Sequence, residues 1–434
     1  MSLNTTQHAK TTSPERGYAW FVLFMLTLLY LMNYADRTVA SALIEKIKLT
    51  YDVGDTYMGF VIGPAFAFVY CVAAIPIARF ADRRNRIKII ALGAVVWSVF
   101  TVLSGMANTP GQFAAARFGV GVGEAAFLAP AYSVLSDYFP PKKRGLAFAV
   151  LNLGVYFGVL VGGIGGAQLA ASYDWQWAFI ILGAPGFIFA LATFLLVKEP
   201  KRGRLDDNAG ANLEEETVFK DVFALLWRQQ SFRFLTYAAV LGGFAAVSFG
   251  TWAIPLFERI FEISNEEATT RYFLTTVGAS ILGVLAMGYL CDRGSKSDPR
   301  APYRYSSLGF LGFSLIAIAI CFMSDVNIAT ALVFPAALLG AGWVVAVQAA
   351  LQDLVPAEHR ATATAIWAFA LTFAGLVIGV LFVGVFNDFL WETYGARAIR
   401  YSMALTLSVA IPAAWYIYRA GATAEADRIA LSEA

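Results

Sequence analysis

The chain of 434 residues is 59% hydrophobic and only 14% charged, with a net charge of +2 and a mean hydropathy of +0.63. An average soluble domain carries about 25% charged residues, so this composition excludes a soluble globular protein and describes a membrane protein. So small a net charge gives no basis for binding nucleic acid.

Residues 1–17 form a polar tail without the apolar core and small-residue cleavage site of a signal peptide, so the first apolar run is expected to stay as a membrane anchor. Twelve runs long enough to span a bilayer are predicted, at 18–45, 55–80, 87–107, 111–139, 145–170, 175–197, 231–258, 267–291, 304–324, 328–353, 361–388 and 396–420. Several exceed about twenty residues, which predicts tilted or protruding helices. Cys71, Cys291 and Cys321 fall in or beside these runs without CxxC spacing and read as packing thiols. His8 and His359 sit in the tail and a short loop, which gives no support for a metal site or histidine catalysis.

The fourth run carries Arg117 and Glu124. Seven residues apart, they share one helix face at roughly 10 Å along the axis. A charge at membrane depth costs at least about 2.5 kcal/mol, and is tolerated where it faces a protein interior or a watery cavity. Gly119 and Gly123 permit close helix approach, and Pro130 predicts a kink.

Residues 198–230 divide the runs six and six, giving bundles at 18–197 and 231–420 and a tail at 421–434. The divider mixes charges of both signs and ends in a stretch readable either as a short interfacial amphipathic helix or as a flexible linker with a frayed helix. With the N-terminus placed inside, the inner segments hold 24 Lys and Arg and the outer ones 6, which predicts two cytoplasmic termini in a plasma (inner) membrane protein.

The halves repeat each other. Ala78 to Arg83 after the second run returns as Gly288 to Arg293 after the eighth, each ending in Asp-Arg, 210 residues on. Asp137 to Arg144 after the fourth returns as Asp353 to Arg360 after the tenth, 216 residues on. This marks a duplicated six-helix unit, and parallel repeats of this kind are a transporter architecture.

The small-x-x-x-Asp-Arg turn after the second run resembles the signature of the major facilitator superfamily, although Ala78 and Asn85 stand where glycine is usual; Arg86 and Lys88 keep its basic character. Gly154, Gly158, Gly162 and Gly163 resemble the glycine-rich fifth helix of antiporter-type members. More narrowly, Asn33-Tyr34-Ala35-Asp36-Arg37 and the fourth-run stretch from Gly121 to Pro130 resemble the Spinster family. The resemblance implies an all-α membrane protein of twelve helices in two pseudo-symmetric six-helix bundles, with helices one, four, seven and ten lining a central cavity. It also implies an amphipathic, lipid-like substrate of the sphingosine-1-phosphate or lysophospholipid type.

Within that fold, Asp36 and Arg117 are a plausible cross-helix pair in the outer half, with Glu124 nearer the midplane. Burial favours a protonated carboxyl and a nearby guanidinium the ionised one. A carboxylate whose arginine is drawn away by substrate therefore changes its hold on a proton. Asp36 and Glu124 are the candidate proton-coupling residues; a static ion-pair network of Asp36, Arg117 and Glu124 is the alternative. Arg37 either meets an anionic head group or locks a neighbouring helix.

Shifting Arg117 and Glu124 by 216 lands on Val333 and Gly340, and the seventh run has no acidic or basic residue between Arg233 and Glu258. Its half offers Ser248, Thr251, Trp252, Trp343, Gln348, Trp367 and Thr372 as cavity positions, a less charged wall suited to an apolar tail. Asp82, Arg83, Asp292 and Arg293, near Arg144 and Arg360, are candidates for a gate on the inner side. Asp137 and Asp353 sit at helix C-termini, where the macrodipole disfavours acid unless an arginine such as Arg144 or Arg360 compensates.

These readings converge on a proton-coupled carrier working by alternating access as a monomer among membrane lipids, with no cofactor beyond a proton gradient. A carrier of a small organic anion clamped by Arg37 and Arg117 is the alternative. A membrane enzyme or receptor lacks support, since no nucleophile–base set or GxSxG appears.

Overall fold

The computed structural model describes residues 13–205, 219–355 and 359–432. Among them the secondary structure is helical, without strands. Eleven segments are long and apolar enough to cross a membrane, from Gly17–Ala42 to Thr362–Ile429. The last is 68 residues long and reverses at Gly395, whose φ of +53° needs a residue without Cβ. It thus supplies the eleventh and twelfth crossings.

The spans, in order, are Gly17–Ala42, Asp55–Ala81, Arg86–Gly105, Pro110–Tyr138, Pro141–Ser172 and Trp175–Leu196 in the first half. Gln230–Phe261, Asn265–Gly294, Ala301–Phe322 and Val326–Gln352 follow, then the divided pair. Their starts carry ordinary signals. Proline opens the helices at Pro110 and Pro141, and Asn85, Thr109, Ser264 and Asp325 cap with their side chains.

Three interruptions matter. The first helix, Ser13–Ala42, stops short of the expected residue 45, and a separate short helix, Ile44–Tyr51, closes that end. The fourth span breaks between Pro110–Glu124 and Leu128–Tyr138. Pro130 explains this: it has no N–H for the carbonyl of Ala126 and its ring crowds that carbonyl. Glu124 is therefore the last residue before the break. The fifth span widens into a π-helix at Val161–Gly165, and the eleventh does so at Phe373–Gly379, starting 212 residues on.

The fifth span lies against the first along glycines; a Cβ on Gly162 would stand 2.2 Å from the carbonyl oxygen of Ala35. The eleventh span approaches the seventh in the same manner, with Gly375 against Gly243. Across the halves, Gly59 and Gly63 of the second span meet the backbone of the eleventh at Val380 and Leu376.

The divider holds a helix at Phe219–Arg228 that buries Val222 and Leu226; residues 206–218 lie outside the described part. At the other end, the helix of the twelfth span continues to Ser432, through most of the segment expected as a tail at 421–434. We call the end of the bundle with Ile44–Tyr51 the first-loop end and the opposite one the linker end.

Candidate functional site

Asp36 and Arg37 are neighbours on the first span and point about 100° apart, and each reaches the fourth span by a different route. Arg117 Nη1 donates to Asp36 Oδ1 at 3.0 Å, and Thr101 of the third span donates its hydroxyl to Asp36 Oδ2. Arg37 Nε donates to Glu124 Oε2. The partner of Glu124 is thus Arg37, not the Asp36–Arg117 pair. Asp36 is 3% exposed and Arg117 and Glu124 1% each, so the charges depend on each other. Removing one member of such a buried pair leaves the other uncompensated, at a cost of about 3–5 kcal/mol.

Aromatic rings hold the guanidinium of Arg37 in place. The centroids of Tyr70, Phe66 and Tyr34 lie 4.7, 5.0 and 5.1 Å from its Cζ. Phe66 also faces Arg117 at 5.6 Å, so one ring contacts both cations. Each pair keeps unused capacity: Glu124 Oε1 and Arg117 Nε are buried without a hydrogen-bond partner.

A cavity of about 420 Å³ opens beside these pairs. The first half lines it with Arg37 and Arg117, with Tyr34, Thr38 and Ser41, and with the apolar Ile62, Phe66 and Val159; the second half lines it with Val247, Phe273, Leu371 and Leu376, with Thr251, Thr276 and Thr372 among its polar points. Glu124 stands behind Arg37, with no exposed side-chain area. Spans one, two, four, five, seven, eight and eleven contribute to the lining, whereas the tenth, expected there, does not.

Several expected cavity positions lie elsewhere. Trp252, Trp343 and Trp367 are buried in the core of the second half. Trp252 and Trp367 donate their indole N–H to the carbonyls of Val380 and Leu235 at 3.0 and 3.1 Å, and Trp343 packs against Phe310 and Trp367. Buried rings whose donor is bonded, as in Trp252 and Trp367, or that lie against other rings, as in Trp343, serve packing, which removes these three from the substrate wall. Ser248 bonds back to the carbonyl of Phe244 at 2.6 Å and packs against Gly379. Gln348 is not among the residues that line the cavity. Thr251 and Thr372 do line it.

At the linker end, Asp137 is compensated by Arg86 rather than by Arg144. The buried Arg86 guanidinium reaches Asp137 at 2.6 Å, Glu199 at 2.7 Å and Ser133 at 2.8 Å. Asp137 also accepts from the backbone N–H of Gly203 at 2.8 Å, tying the start of the linker to the fourth span. Arg144 donates to the carbonyls of Ser136 and Phe139 at 3.0 and 3.1 Å, and Arg360 to that of Val355 at 3.2 Å. Both arginines thus bond the carbonyl five residues earlier, which satisfies a helix C-terminus in each half. Arg83, Asp292 and Arg293 are exposed, and Arg293 contacts Tyr289 of its own helix. Asp82 and Asp353 end their helices, and their side chains lie outside the described part.

Among the described residues, the hydrogen bonds and ion pairs between the halves gather at the first-loop end. Arg259 of the seventh span makes a two-pronged bond to Asp55 at 2.6 and 2.7 Å and also reaches Glu45. Lys48 pairs with Asp55, and Lys46 pairs with Glu266 at 3.1 Å. Asn265 donates to the carbonyl of Ala42 at 2.7 Å and to Glu258 at 2.6 Å. Asp388 of the eleventh span accepts from the backbone N–H groups of Asp55 and Thr56 at 2.9 and 2.7 Å, capping the second span from the other half. The sequence reading passed over this clamp. Its signal was present: the stretch between the first two spans mixes Glu45, Lys46, Lys48, Asp52 and Asp55, more charge than a short loop between two apolar runs needs.

Comparison with known proteins places this geometry. The description of the Major Facilitator Superfamily matches residues 26–379. An "MFS-type efflux pump" of Mycolicibacterium smegmatis is 30% identical over 412 residues, covering 93% of this chain and 92% of that protein. The "Sphingosine-1-phosphate transporter SPNS2" of Danio rerio is 26% identical over 387 residues, covering 85% and 76%. A solved bacterial homologue of the human lysosomal transporter Spinster, inward-facing and unoccupied, superposes with a TM-score of 0.86 at 26% identity, covering 96% of this chain and 99% of that one.

Proposed function

Since this chain belongs to the Major Facilitator Superfamily, as a membrane transporter of the Spinster type and not an enzyme, we propose that it moves an amphipathic, lipid-like anion by proton-coupled alternating access. The observation that carries this reading is the two-sided cavity: both guanidinium groups come from the first half, while the second half lines it with aliphatic, aromatic and hydroxyl side chains and no acidic or basic one. A phosphate or carboxylate head satisfies the first by paired N–H bonds, and a hydrocarbon tail the second. The printed activity of the Danio rerio relative supports a substrate of the sphingosine-1-phosphate type.

Coupling follows from the pairing. Arg37 is the link between the cavity and the buried Glu124. An anionic head that engages Arg37 draws it from Glu124, which is then a lone buried carboxylate and takes up a proton. Release of the substrate returns Arg37 and expels the proton. With both termini cytoplasmic, the clamped first-loop end faces outward, and its likeness to an inward-facing structure supports an inward-facing state. The chain acts as a monomer in the plasma (inner) membrane.

Transport by the full chain reconstituted in liposomes under an imposed pH gradient tests this. The expected result is gradient-driven movement of sphingosine-1-phosphate or a lysophospholipid, lost in Glu124→Gln with substrate binding retained. Full gradient-driven movement in Glu124→Gln sinks the coupling role and leaves a static ion pair. The two arginines by themselves also suit a small organic anion. Competition by short carboxylates, with none by lysophospholipid, would establish that second reading.

A further inference from the structure

Among the described residues, buried polar atoms without partners occur in both halves, and most of those in the first half gather around one column. Those of the first half belong to Asn33, Ser98, Arg117, Glu124, Gln176 and Thr193. Gln176 stands near the first-loop end of the sixth span; the others surround Asp36 or lie from it toward the linker end.

The register of three helices defines the column. Asp36 of the first span is bonded to Thr101 of the third, and both spans run from the linker end to the first-loop end. Asn33 is three residues before Asp36 and Ser98 three before Thr101, so each lies about one turn closer to the linker end on the same helix face. Both are buried. The Ser98 hydroxyl faces the sixth span at Gly186, where a Cβ would come within 2.0 Å of Ser98 Oγ; the missing side chain leaves that hydroxyl its space. The sixth span runs the opposite way. Seven residues beyond Gly186, about two turns nearer the linker end, is Thr193, buried and with Oγ1 unpartnered.

An unmet buried polar group costs about 1–3 kcal/mol, and polar sites of this kind inside proteins hold bound water. A second fact bears on the same column. The cavity lining includes Arg37 and Arg117 but not Asp36, Asn33, Ser98 or Thr193. Water held by these groups would therefore form a route distinct from the substrate's.

We propose that Asn33, Ser98 and Thr193 hold a file of bound water within the first half, and that this file passes protons between Asp36 and the linker end, separate from the substrate cavity. The proton-carrying role rests on the coupled reading above, with Asp36 as the second proton-coupling carboxylate beside Glu124. The step involves only O–H bonds: each water receives one proton and passes on another, and the Asp36 carboxylate accepts the last. Asn33 and the two hydroxyls are positioning residues, since they orient water and do not touch substrate.

The test uses the full chain in liposomes, with sphingosine-1-phosphate as probe and the double variant Asn33→Leu, Ser98→Ala. Movement driven by a pH gradient should fall about tenfold or more, while exchange of the probe without a gradient is unchanged. In parallel, radiolytic hydroxyl labelling of Trp97, next to Ser98 in the chain, reports bound water; it should be present in the unmodified protein and lost in the double variant. Unchanged gradient-driven movement in that variant, or no labelling of Trp97 in the unmodified protein, overturns the proposal. Should the double variant fail to fold, Thr193→Val is expected to give the same loss of driven movement, and normal driven movement in Thr193→Val overturns the file. Where the unmodified protein ignores the pH gradient altogether, the coupled reading falls, and the labelling still decides whether the file exists.

Discussion

The two halves share one helix plan and have opposite interiors. In the first, Asp36, Arg37, Arg117 and Glu124 pair across two spans. In the second, Trp252, Trp343, Trp367 and Phe310 pack the interior, with the indole N–H groups of Trp252 and Trp367 bonded to backbone carbonyls and Trp343 against Phe310. With the 212-residue offset that relates the two π-helices, Asp36 and Arg37 fall on Ser248 and Phe249. With the 216-residue offset of the loop motif, Arg117 and Glu124 fall on Val333 and Gly340. A buried ion is costly to keep and a packed tryptophan is not, so the difference separates chemistry in one bundle from rigidity in the other. The cavity then meets a responsive wall on one side and a firm one on the other.

Arg117→Ala should have the largest effect, because it strikes the responsive half. Asp36 would be left buried without its guanidinium, at a cost of about 3–5 kcal/mol, and gradient-driven movement should vanish. Denaturation in detergent and liposome transport check both parts. A stable, active Arg117→Ala would erase the contrast between the halves.

Trp343→Ala sharpens the contrast from the other side. It should destabilise the protein by about 3–5 kcal/mol, as large-to-small core changes do, yet leave the affinity of the folded fraction for the substrate unchanged. Binding titrations on purified folded protein would decide; a large loss of affinity would return the second half to a recognition role.

Arg259→Ala acts on the clamp that joins the halves and should be the mildest. Losing its bonds to Asp55 and Glu45 should shift the population toward an open first-loop end by about tenfold. Spin labels placed on the two halves at that end would show it as a second, longer distance. An unaltered distance distribution would mean that the glycine contacts between the second and eleventh spans hold that end closed by themselves.

Much of the fold was legible because a bilayer permits few solutions. Apolar runs of spanning length, separated by charge clusters, leave little but helices, and the Asp-Arg turns exposed the duplication. The charged residues of the first and fourth spans stood out for the same reason: nothing apolar explains them. Their pairing was less legible. Glu124 met Arg37 because adjacent residues on a helix diverge, and because the Pro130 break ends the helix at Glu124, a local geometry that spacing does not reveal. The tryptophans misled because an aromatic residue on a membrane helix has the same appearance in sequence whether it faces a lumen or a neighbouring helix. The first-loop clamp was hidden by distance in the chain, since Arg259 lies 204 residues from Asp55.

The paired π-helices carry a historical consequence. An extra residue in a helical turn is awkward to insert and shifts everything after it, yet both copies have it at matching depth beside the glycines that seat one span on another. That irregularity is most simply an heirloom of the ancestral six-helix unit, already present when the gene doubled. The buried ions, held among the described residues by one copy alone, record the divergence that came afterwards.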